Sequence, residues 1–148
     1  MFILKFSAVA VIVFVVCNTI ACKSSSTDPK ETLDAIMKAD NAGDIQKIIS
    51  LYTSDAMLIP ANKPNIIGKD AIRKNYENIF ATSKLQLRGI VEEVLCADDL
   101  AVIRGNTIGT IILLKDNSRI NINDKFIMIL KSEGMHWKIH RLMWSKNG

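Results

Sequence analysis

At 148 residues, 49% hydrophobic and 23% charged, the chain has enough apolar side chains to bury one core and is too short for two. Its formal net charge of +4 comes from 19 basic residues interspersed with 15 acidic ones, without a basic run, so a nucleic-acid-binding stripe is unsupported. Two histidines and three cysteines have no metal-ligand spacing, and neither a phosphate-cradling glycine loop nor a serine-nucleophile elbow occurs; no metal or cofactor is expected.

Residues 1–21 have the layout of an export signal: Lys5, an apolar run from Phe6 to Val16, then the small residues Thr19 and Ala21. The apolar run is shorter than the roughly 20 residues a spanning helix needs. Thr19-Ile20-Ala21-Cys22 resembles a bacterial lipoprotein box, in which the cysteine is lipidated and becomes the new N-terminus, although Thr19 stands where a larger aliphatic residue is usual. Residues 22–28 then read as a polar tether. The expectation is an exported bacterial envelope protein held to a membrane through Cys22; the alternative is an ordinary secretory signal with Cys22 incidental. Cys96, between Leu95 and Ala97, is expected to be a buried small hydrophobe with no intrachain disulfide partner unless Cys22 stays unmodified.

Residues 29–148 form the domain. Asp28-Pro29-Lys30-Glu31 is a helix start: Asp28 can cap free amides and Pro29 suits the first helical position. Leu33, Ile36, Met37 and Ala39 supply an apolar stripe, and Gly43 ends it. Asp44 caps a second, shorter helix whose stripe is Ile45, Ile48, Ile49 and Tyr52. Ala56 to Ile59 is a short strand stopped by Pro60, and residues 62–65 are a loop. A third helix follows Gly68, with Ile72, Tyr76, Ile79 and Phe80 on one face.

From Lys84 the pattern changes. Segments 85–97, 100–114, 119–131 and 135–145 are rich in Val, Ile, Leu and Thr and are separated by short turns, which predicts an antiparallel meander. Helices first and a meander second give an α+β fold with three N-terminal helices packed on a curved antiparallel sheet. In the second long strand the small residues Ala101, Gly105, Thr107 and Gly109 share a face, where twist would curl the sheet.

In this order the chain resembles the nuclear transport factor 2-like superfamily, and within it the SnoaL-like and ketosteroid-isomerase-like small domains. The likeness is carried by Asn41-Ala42-Gly43-Asp44, Leu51-Tyr52-Thr53-Ser54-Asp55-Ala56, Ile67-Gly68-Lys69-Asp70-Ala71-Ile72, and the ending Gly134, Trp137-Lys138-Ile139 and Trp144-Ser145. It implies a cone of helices closed over a curved sheet, an apolar cavity at one end, and in many members pairing of two copies through the convex sheet. Fold likeness alone does not supply chemistry. The positions of the isomerase's carboxylate base, tyrosine donor and protonated aspartic acid fall at about Pro60, Ile36 and about Asn123, so that machinery is not expected here.

The resemblance places Trp144 in the cavity, and simple alternation then puts His140 and Leu142 on its face. His140 could act as acid or base near neutral pH, paired with Asp124 if the third long strand's register turns Asp124 inward; Asn123 takes its place if it does not. The expected pocket is Tyr52, Met57, Ile59, Tyr76, Arg104, Asn123, Leu142 and Trp144, with Arg104 either a cavity cation or a residue of the convex face. The leading expectation is a small apolar ligand in the cone. The alternatives are a cofactor-free isomerase, dehydratase or hydrolase centred on His140, and a dimeric envelope interaction protein.

Overall fold

The structure is a computed structural model that describes residues 27–147. The expected signal, the tether up to Ser26 and the lipidation site Cys22 lie outside the described residues. Helix α1 spans Pro29–Ala42, α2 Ile45–Ser50 and α3 Lys69–Thr82, and the strands are β1 Tyr52–Pro60, β2 Ile66–Ile67, β3 Ser83–Ala97, β4 Leu100–Leu113, β5 Arg119–Glu133 and β6 His136–Lys146. Asp28 accepts a hydrogen bond from the Lys30 amide at 2.9 Å, and Gly43 closes α1 at φ 66°, a left-handed conformation that glycine adopts without a Cβ clash. Asp44 caps α2 through the Lys47 amide at 2.9 Å. Tyr52, expected at the end of α2, opens β1 instead, because Leu51 ends the helix and Tyr52 pairs with Ile139.

The sheet order is β2-β1-β6-β5-β4-β3, an unclosed sheet with β2 and β3 at its edges. The expected meander β3 to β6 is antiparallel throughout. In contrast to the fully antiparallel sheet expected from the short turns, β1 joins β6 in parallel, so the sheet is mixed. That pairing connects segments about 80 residues apart in the chain, and no turn between them announces it.

Curvature comes from irregularities in the ladder. β3 carries an extra residue opposite β4 between Val91 and Glu93, and there Gly105 lets the strands close up: a Cβ on it would stand 2.0 Å from the Ile90 carbonyl oxygen. Gly109, at φ 146°, does the same against the Gln86 carbonyl. The small-residue row of β4 thus faces the concave side with the buried Ala101 and Ile103. Helix α1 lies on β3, where the Leu33 side chain fits over Gly89, and the Asn41 side chain grips the Leu87 peptide of this edge strand from both sides: it donates to the carbonyl at 2.8 Å and accepts from the amide at 2.7 Å. The core between helices and sheet is built on Leu33, Ile36, Ile48, Leu58, Ile72, Ile103, Met128, Leu130, Trp137 and Ile139.

Cys96, expected as a buried small hydrophobe, is half-buried against this core.

Candidate functional site

Toward the open end of the cone the helices and sheet do not meet, and a cavity of about 460 Å³ remains. Met37 of α1, Leu58 of β1, Ile79 of α3, Ile111 of β4, Phe126 of β5 and Leu142 and Trp144 of β6 are among its apolar walls. Its polar side chains are Asp40, Tyr76, Asp124, Asn75, Asn78, Thr82, Ser83, Thr107 and the exposed Lys63.

Asp40 sits at the C-terminal end of α1 on the same stripe as Leu33, Ile36 and Met37, and is 7% exposed. Burial pushes its carboxyl up to about 7, against a hydrogen bond from the Tyr76 hydroxyl that favours the ionised form. The Tyr76 hydroxyl is also 3.2 Å from the hydroxyl of Tyr52, which is fully buried on β1. Burial raises both phenols well above their usual range, with the Asp40 charge adding to the effect. A carboxyl and two phenols from α1, α3 and β1 therefore form one buried chain whose Asp40 end lines the cavity. The grip of neighbouring Asn41 on β3 fixes the helix end that carries it.

Of the residues expected from the sequence, Tyr76, Asp124, Leu142 and Trp144 line the cavity. Tyr52 lies behind it in the core. Met57 and Ile59 pair with Arg141 and Met143 and face away from the cavity, while Leu58 between them faces in. Asn123 is exposed, with its side-chain oxygen accepting from Asn147 at 3.0 Å. Arg104 is exposed on the convex face, where its guanidinium pairs with Glu92 and, at 3.2 Å, with Glu93.

His140 is not among the cavity's lining residues, and the structure does not bring it to Asp124. In the β5–β6 ladder Ile129 pairs with Arg141 but Leu130 pairs with Ile139, which leaves His140 as the extra residue of a bulge; Asp124 pairs near the far end of β6, with Lys146. The bulge reverses the alternation. Trp137 and Ile139 point into the core, Leu142 and Trp144 into the cavity, and His140 turns to β1. There its Nδ1 is 3.2 Å from Thr53 Oγ1, 3.4 Å from Asp55 Oδ1 and 3.1 Å from the Arg141 guanidinium. Thr53 donates to Asp55 at 2.9 Å, and this bond, more than the nearby His140 and Arg141, holds the Asp55 carboxyl below its usual value.

Asp40 is the site residue that sequence reasoning missed. The signal was present: position 40 continues the spacing of 33, 36 and 37, and an acid on an apolar stripe needs an explanation.

The helices, the curved sheet and the cavity between them define an α+β cone of the nuclear transport factor 2-like class. The chain belongs to the SnoaL-like domain family, whose model matches residues 33–143. It is similar in structure to a ketosteroid isomerase-like protein from Erwinia carotovora atroseptica, with 25% identity and a TM-score of 0.73 over 80% of this chain and 93% of that one. A candidate aromatic ring hydroxylase from Novosphingobium aromaticivorans shares 19% identity and a TM-score of 0.71 over 80% and 86% of the two chains. A candidate dehydratase of the nuclear transport factor 2-like family from Streptomyces avermitilis shares 14% identity and a TM-score of 0.68 over 80% and 94%. Below 25% identity such likeness carries the fold alone. No curated protein sequence matches the chain.

Proposed function

We propose that the domain binds a small, largely apolar molecule in its cone cavity, and does so as an exported protein anchored to the bacterial envelope through lipid on Cys22. The observation that carries the binding reading is the cavity itself: about 460 Å³ walled for the larger part by apolar side chains, with polar groups set among them. That is the form of a small-molecule site, in which apolar walls supply affinity and isolated polar groups fix orientation. Native mass spectrometry of the purified mature domain tests it. A co-purifying small molecule is expected, and Thr107→Phe, which grows a ring into the cavity from β4, should release it with the melting transition intact. Retention of the molecule by that variant would place it elsewhere. The anchor rests on the sequence around Cys22, and Cys22→Ala should move the protein from the membrane to the soluble fraction; unchanged fractionation refutes it.

A second reading, a cofactor-free enzyme, is favoured by one observation: Asp40 combines a cavity-lining position with a carboxyl that titrates near neutral pH, the property a general acid or base needs. In this reading the proton-transfer role belongs to Asp40 with Tyr76, and His140 has none. Asp40→Asn would abolish turnover of a substrate found by mass spectrometry, whereas His140→Ala would leave it.

A further inference from the structure

Asp40 Oδ1 is the buried side-chain oxygen that, among the described residues, has no hydrogen-bond partner. An acceptor kept from water and left unpaired costs stability, roughly 1–3 kcal/mol, so a fold that retains it on a residue lining a cavity keeps an acceptor for a donor that enters there. The groups facing it narrow the donor's chemistry. Tyr76 of α3 already gives its hydroxyl to this carboxyl, and Tyr52 of β1 stands behind Tyr76. Across the cavity the charged groups are Asp124 of β5 and the exposed Lys63 of the loop after β1, so two carboxyls stand against one lysine. The same walls carry the rings of Tyr76, Phe126 and Trp144.

We propose that the cavity selects an apolar amine, whose ammonium N–H pairs with the Asp40 carboxyl once a small turn of that side chain brings Oδ1 to the cavity, while its hydrocarbon body lies among these three rings. The inference rests on the reading that the cavity takes an apolar ligand, and adds the head group. A charged donor makes a stronger hydrogen bond to a carboxylate than a hydroxyl does, and ring faces attract cations. A ligand ending in a carboxylate would meet two like charges.

Isothermal titration calorimetry with three probes of one skeleton tests it: 4-phenylbutylamine, 4-phenylbutan-1-ol and 4-phenylbutyrate, at about pH 8.5 and about pH 5.5, on either side of the Asp40 titration near 7. At the higher pH the amine should bind about tenfold more tightly than the alcohol, with the butyrate weakest. At the lower pH, where Asp40 is protonated, the amine's advantage should shrink. Asp40→Asn should remove that advantage at both pH values, and Asp124→Asn should keep it. The wild-type pH comparison stands even if a variant folds poorly. Equal binding of amine and alcohol at the higher pH overturns the amine proposal and leaves the apolar-cavity reading intact; no binding of any probe overturns both. An advantage that survives Asp40→Asn and vanishes in Asp124→Asn overturns the assignment to Asp40.

Discussion

Two aspartates, each hydrogen-bonded by a neighbouring hydroxyl, sit on opposite sides of the β1–β6 region and titrate in opposite directions. Asp40, on the cavity side, is buried, and desolvation outweighs the Tyr76 hydrogen bond, so its carboxyl rises to about 7. Asp55, at the His140 bulge, faces water with its side chain 66% exposed, and the Thr53 hydrogen bond outweighs a smaller desolvation and lowers its carboxyl. A hydroxyl donor alone does not set the protonation state of a carboxyl; what surrounds the pair does. The cluster containing a histidine, which looks more chemical in the sequence, is the solvated clamp of a bulge. The cluster without one lines the cavity.

The largest expected effect that sharpens this contrast is at Asp40. Its folded-state value lies above the ordinary 3.8, so between about pH 4 and pH 7 the folded chain binds more protons than the unfolded one, and stability falls as the pH rises through that window. The full effect is on the order of 4 kcal/mol. Asp40→Asn should flatten this slope, which urea unfolding at several pH values reads directly; an unchanged slope would assign it elsewhere. Next comes Tyr76→Phe. It removes the donor that holds the Asp40 carboxyl down and strands the buried Tyr52 hydroxyl, at a cost of about 2 kcal/mol, and should extend the pH-dependent window upward in the same unfolding series.

On the other side, Thr53→Val should cost about 1 kcal/mol by removing the buried hydroxyl shared by His140 and Asp55. Carboxyl NMR titration should show Asp55 returning toward 3.8 with Asp40 unmoved. Asp55→Asn should have the smallest effect, present at neutral pH and lost in acid. A lowered carboxyl stabilises the fold above its unfolded value and loses that contribution as the pH falls through its folded one, so unfolding curves of variant and wild type should differ less at low pH than at neutral. A larger loss in this variant than in Thr53→Val would mean the bulge matters more than its exposure indicates.

The sequence by itself determined the local elements and the family. The Asp28-Pro29 start, the Gly43 stop and the apolar spacings of α1 and α3 act within a few residues, and the meander follows from short turns between long strands, so these were legible along the chain. The register of β5, which the sequence left open between Asp124 and Asn123, is set by the ladder with β4, which runs without a bulge through Ile122, Asp124 and Phe126 and brings Asp124 to the cavity. Tertiary structure decided the rest. The parallel seating of β1 on β6 joins residues distant in sequence, and the extra residue in β6 turns His140 out and Leu142 and Trp144 in, which alternation counted from either end cannot reveal. It also decided what Asp40 is. A carboxyl's proton affinity depends on how much water the whole fold removes from it, and that sum is made by α1, α3 and the sheet together rather than by any one stretch of chain.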